Sequence, residues 1–164
     1  MEHDKSFLDH SRFFLSGYFT YINSCLNMLS EEEIWWRPNE QSNSIGNLLL
    51  HILGSLNHWI LAGIAGKKVD RARKQEFGQR SALPKEDLIS KLNSTFSEAD
   101  KAIGAIDPSQ LSNKLQIAGK EVTWMFAIYL MTQHASTHTG QIIVATKTIK
   151  NEDLELPQFI DQVP

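Results

Sequence analysis

Four long stretches of this 164-residue chain repeat apolar residues at steps of three and four. That spacing lays a stripe along an α-helix, whereas a strand, with its period of two, would send such residues to both faces. The first stretch carries Leu8, Phe14, Leu15, Tyr18, Phe19, Ile22, Cys25, Leu26 and Leu29, and predicts a helix from about Ser6 to Met28. Ser30-Glu31-Glu32-Glu33 is a capping-box sequence that starts one short turn, stopped before Pro38. Ser42, Asn43 or Ser44 can cap the second long helix, about Ser44 to Ala65, whose stripe is Ile45, Leu48, Leu49, Ile52, Leu56, Trp59, Ile60 and Ile64.

Gly66 to Leu83 is charged and aperiodic, and its Arg71, Arg73, Lys74, Glu76 and Arg80 are expected in water. A connection this long can travel the full length of a helix, so the helices on either side need not be antiparallel neighbours. Pro84, with Glu86 and Asp87 in the first turn, opens a third helix that ends between Gly104 and Pro108. Between Leu111 and Lys120 a brief hairpin with a Gly119-Lys120 turn is conceivable, and the fourth helix is expected from Glu121 to about Ile149. With no fixed-period repeat, the pattern predicts one all-α domain over residues 1–164: a four-helix bundle with a long crossover between helices 2 and 3.

Composition removes several function classes. The formal net charge of −3 provides no cationic excess for phosphate backbones, so no nucleic-acid partner is expected. The longest apolar stretch, Leu48 to Ala65, is broken by His51, Asn57 and His58, which argues against a membrane span. A lone Cys25 and a charged, h-region-free start at Met1 to Arg12 predict a reducing, cytoplasmic setting. Neither a P-loop nor GxGxxG occurs, and no Glu has a His three residues later, as di-iron carboxylate bundles require.

Sites in bundles are built from polar side chains on inward faces. His134 and His138 are four apart, hence on one helical face about 6 Å from each other, and Gln141 shares that face. Ala135 stands where a zinc-protease HExxH motif needs its glutamate. His51 lies among Leu48, Leu49, Leu50, Ile52 and Leu53, where an imidazole requires a ligand or a hydrogen bond. Three such residues on two helices make a three-His site for one divalent ion, with a coordination position left open. His58 is about 10 Å further along the helix from His51, too far to share the ion, and reads as pocket wall or surface. No Glu or Asp lies within Ser42–Trp59 or Gln133–Gln141, so no nearby carboxylate is expected.

Ser44-Ile45-Gly46-Asn47-Leu48-Leu49-Leu50-His51, its continuation to Trp59-Ile60, and His134-xxx-His138-Thr139-Gly140-Gln141-Ile142 resemble the signature segments of the DinB/YfiT-like superfamily. The resemblance also takes in Leu29 to Pro38 and Glu121-Val122-Thr123, nearly the whole chain. It implies a four-helix bundle with a long crossover, a divalent metal, zinc or nickel, held by His51, His134 and His138, and a homodimer. Characterised relatives of that kind include transferases and isomerases that use low-molecular-weight thiols such as bacillithiol and mycothiol. The expected activity is therefore a metal-dependent thiol S-transferase of a detoxification type acting on a small-molecule substrate. In it Asn47 and Gln141 would orient ligands, and His58, Trp59 or Trp124 would wall the pocket. Two alternatives are metal-assisted hydrolysis and a non-enzymatic stress-response protein in which the ion staples helices 2 and 4.

Overall fold

The computed structural model describes residues 2–156 and 158. In chain order come α1 (Glu2–Met28), α2 (Glu31–Trp35) and α3 (Ile45–Leu56), the last continuing as a wider π-helical turn over Asn57–Ala62. After the connection with its short α4 (Arg73–Gly78) follow α5 (Lys85–Gly104), a 3-10 turn (Pro108–Ser112), β1 (Lys114–Ile117), β2 (Lys120–Thr123) and α6 (Trp124–Lys150).

The capping chemistry read from the sequence forms. Ser30 accepts from the Glu33 amide while the Glu33 carboxylate accepts from the Ser30 amide, and Ser44 and Asn47 repeat the exchange at the start of α3. The inward faces of α1, α3, α5 and α6 then close one core around Leu15, Phe19, Ile22, Leu26, Leu49 and Ile52, with Leu88, Ile128 and Ile142 from the later helices. The Ile45–Ala62 stretch is long and apolar enough to cross a membrane, but most of it is buried inside this bundle.

Helix directions follow from cross-contacts. Antiparallel packing of α1 and α5 is fixed by Arg12 to Asp100 (2.8 and 2.9 Å), Asn23 to Asn93 (3.3 Å) and the Lys85 ammonium on the Asn27 carbonyl (3.2 Å). α1 and α6 run parallel, since Asp4 shares a groove with Thr123 and Met125 at one end and Glu33, just past α1, meets Lys150 at the other. α3 opposes α6, because Leu48 shares a groove with Ala145 while Trp59 shares a cavity with Leu130. Consequently α3 and α5 are parallel neighbours, tied at one end through Trp35, whose ring abuts Gly46 and whose indole N–H donates to the Leu83 carbonyl (3.3 Å). Lys67 and Glu98 pair at the other end (2.7 Å).

Parallel neighbours explain the crossover. Eighteen helical residues rise about 27 Å, and the chain must travel back that far before α5 can start. The returning segment is not a solvated loop: α4 packs on α3, Glu76 is 8 % exposed, and the Arg71 side chain is largely covered. The expectation that these two charges lie in water is corrected, because each supplies the other's counter-charge.

The hairpin also forms, one step from its expected turn. β1 and β2 pair antiparallel from Lys114↔Thr123 to Ile117↔Lys120, and the two-residue loop Ala118-Gly119 has positive φ at both positions (51° and 73°), the geometry that matches strand twist. α6 accordingly starts at Trp124 and not at Glu121. Residues 121–123 are engaged in the ladder, and the Thr123 hydroxyl accepts from the Phe126 amide as the helix cap (3.1 Å).

Candidate metal centre

On α6 the four-residue spacing stacks His134 and His138 with their Nε2 atoms 3.1 Å apart. Gln141, one turn further, accepts from the His138 Nδ1–H through Oε1 at 2.6 Å. From the opposite helix His51 points its Nε2 to within 3.0 Å of the His134 Nε2. The three candidate ligand atoms all lie within 4.8 Å of one another.

This crowding fits a cation. Two imidazole lone pairs at 3.0 Å repel unless a proton or a metal lies between them, and nitrogens about 2.0–2.1 Å from a zinc-sized ion stand roughly 3–3.4 Å apart. The remote ring atoms decide the tautomers: a Gln141 oxygen on His138 Nδ1 and a carboxylate on His51 Nδ1 both demand an N–H there, leaving each Nε2 as a bare donor atom. The group formed by His51, His134 and His138 can therefore hold a metal ion, as the spacing predicts.

The carboxylate on His51 is Glu76, at 2.9 Å, delivered by the crossover. The expectation of no nearby carboxylate is thereby corrected. Its two oxygens also receive the Arg71 guanidinium (Nε to Oε1 2.8 Å, Nη2 to Oε2 3.1 Å), and Arg71 reaches on to the Ser55 hydroxyl (3.0 Å). Arg71 also comes within 3.4 Å of His51 Nδ1, but a guanidinium cannot accept, so the proton on Nδ1 belongs to the Glu76 bond. Burial pushes the Glu76 carboxyl up, yet the bonds and charges of Arg71 and His51 outweigh it and hold the group below the usual range.

Among the described residues, Asn47 bonds to Ser44 and to the crossover backbone and not to the three rings. It is fully buried, its Oδ1 accepts from Ser44, and its Nδ2 donates to the carbonyls of Glu76 and Gln79, both at 3.0 Å. It anchors α4 rather than orienting a ligand directly. Gly54 completes the seat, since a Cβ there would overlap the Glu76 carboxylate. A glycine inside an apolar helix costs about 1 kcal/mol against alanine, and that cost was the one sequence signal that something approaches α3 at this point.

Beside the rings opens a cavity of about 460 Å³ lined by His51, Ser55, His58, Trp59, Arg71 and His134, with Arg73, Ala118, Leu130 and Met131 completing its wall. His58 and Trp59 line this cavity, carried there on the π turn. Trp124 is not in the lining; it packs with Trp59 against Leu115, Ile117 and Ala127 and supports the hairpin. Burial, then the neighbouring His138 and His51, pushes His134 down to about 4, and burial also lowers His51 and His58. His134 is consequently neutral at pH 7 and needs to lose no proton before binding an ion.

No curated protein sequence matches the chain. Among solved structures it is similar to a conserved protein from Enterococcus faecalis, with a TM-score of 0.72 at 16 % identity over 88 % of this chain and 97 % of that one. A DinB-like protein (YjoA) from Bacillus subtilis gives 0.63 at 19 % identity over 89 % and 96 %. Another DinB-like protein, from Bacillus cereus, gives 0.64 at 20 % over 93 % and 95 %. At such identities the likeness is one of fold. Residues 2–158 match the family described as "Protein of unknown function (DUF1572)". The chain therefore belongs to the DUF1572 family, and its fold is the DinB-like helical bundle.

Proposed function

We propose that this protein is a metal-dependent enzyme in which His51, His134 and His138 hold one divalent ion, zinc or nickel, and that it transfers or rearranges groups on a small thiol. The observation that carries this reading is the convergence of three Nε2 atoms, two with their tautomers fixed from behind, at the edge of a cavity to which His51 and His134 both contribute. Three protein ligands leave a position for an exogenous one, the pattern of catalytic rather than structural sites. When bound, the ion supplies a positive charge that lowers the pKa of a thiol presented to it. The chain's own residues do the rest. His134 stays unprotonated, Trp59, Leu130 and Met131 provide apolar walls, and Arg73 makes the cavity attractive to an anionic sulfur compound, the charge of Arg71 being met by Glu76.

Hydrolysis ranks below thiol chemistry for a specific reason. Glu76 is the carboxylate bonded to the site, and its oxygens are engaged by Arg71 and by the His51 proton, so it is not free to take a proton from water. A staple-only role for the ion is disfavoured by the adjoining cavity. We place the protein in the cytoplasm, as a homodimer.

Metal analysis of the purified protein beside His51→Ala is the first test: about one equivalent in the natural chain and a tenth or less in the variant. Equal metal in both removes the site. The loaded protein is then incubated with electrophiles and bacillithiol, mycothiol, glutathione or cysteine. Absence of metal-dependent turnover with all four thiols removes the transferase reading.

A further inference from the structure

We infer that Glu76 is the positioning residue of the metal centre, so that the crossover is a working part of the site and metal binding and crossover closure are one linked equilibrium. The inference rests on the metal reading above and adds a residue and a segment to it.

A carboxylate behind a metal-bound imidazole fixes the ring's tautomer and orientation and raises its basicity toward the ion. Glu76 meets the geometric requirement, with Oε2 at 2.9 Å from His51 Nδ1 and the opposite ring nitrogen facing His134. Its own position is fixed from three sides. Arg71 grips both oxygens, Asn47 holds the Glu76 and Gln79 carbonyls, and the missing side chain of Gly54 leaves room for the carboxylate on α3. Phe77, the next residue, lies tilted against the His51 ring with centroids 4.4 Å apart and an interplanar angle of 40°, so one turn of α4 touches the imidazole from two directions. A carboxylate placed only to neutralise Arg71 would need none of these contacts with His51.

The linkage follows by reciprocity. If a seated Glu76 strengthens the hold of His51 on the ion, the ion must strengthen the seating of Glu76 by the same factor. The segment so stabilised carries Arg71 and Arg73 to the cavity wall, so closure and cavity formation occur together.

The test uses full-length protein with Zn²⁺ and Ni²⁺ and three chains: natural, Glu76→Gln and Gly54→Ala. The readouts are metal affinity by chelator competition, the rise in Tm on adding metal, and amide exchange of residues 71–79 with and without metal. Both variants should bind metal 10- to 100-fold more weakly and show a smaller metal-induced rise in Tm. In the natural chain metal should slow exchange across residues 71–79. Gly54→Ala is the sharper variant, because alanine is the better helix former and a local account predicts no loss. A merely structural Glu76 would lower the Tm of the metal-free protein but leave the metal-induced rise unchanged. Variants within twofold of the natural affinity, or metal that protects α3 and α6 but not residues 71–79, would overturn the inference and leave the three-His site standing. Should Glu76→Gln fail to fold without metal, Gly54→Ala and the exchange of the natural chain decide. A natural chain that takes up neither metal overturns the metal reading, and this inference with it.

Discussion

His51 and His138 are given the same proton arrangement by two regions of opposite character. On α6 the partner of His138 is Gln141, three residues away, exposed and uncharged. On α3 the partner of His51 is Glu76, 25 residues away, buried, ionic and itself clamped by Arg71. The first arrangement is a property of one helix and exists wherever that helix forms. The second exists only when the crossover has returned along α3, so one half of the site is assembled locally and the other by the tertiary fold.

That contrast can be broken at its strongest point by Glu76→Ala. Removing one partner of a largely buried ion pair leaves Arg71 without its carboxylate and the His51 proton without an acceptor, and should cost about 3 kcal/mol in urea unfolding of the metal-free protein. A cost under about 1 kcal/mol would mean that the crossover is held by its apolar contacts and by Asn47 alone.

Acidification should act on both sides, through His134 on α6 and Glu76 behind α3. His134 is held down at about 4 when folded, so between about pH 6.5 and 4 the unfolded chain takes up a proton that the folded one refuses, and stability of the metal-free protein falls as pH drops through that window. Glu76 works in the same direction. Its lowered folded pKa adds stability above the ordinary carboxylate range, lost as pH falls through the folded value. Urea midpoints measured from pH 7 to pH 4 should decline, and a flat profile would contradict the His134 assignment.

The smallest effect belongs to the local half. Gln141→Ala removes a solvent-exposed neutral hydrogen bond and should change unfolding free energy by less than about 1 kcal/mol. If its effect on urea unfolding equals that of Glu76→Ala, the two halves are not energetically distinct and the comparison fails.

Legibility in the sequence followed the same division. Stripes of apolar residues, the Ser30 and Ser44 capping boxes and the His134, His138, Gln141 face are repeats of one helical period, so short-range spacing alone revealed them. His51 was visible as an imidazole among leucines that needed a partner. Glu76 was not, because Lys67 to Arg80 has no period, and charge in such a stretch reads as solvated until something is packed against it. The hairpin was half-visible at Gly119, but the positive φ of Ala118 has no sequence marker as strong as a glycine.

The sequence by itself determined the helices, their inward faces and the three imidazoles, because each depends on residues within a turn or two of one another. Only the tertiary structure decided that α3 and α5 run parallel, that the connection must therefore double back along α3, and that a carboxylate from that connection ends against His51. Those contacts join residues far apart in the chain, and a pairing of that kind is set by how whole helices pack rather than by any local pattern.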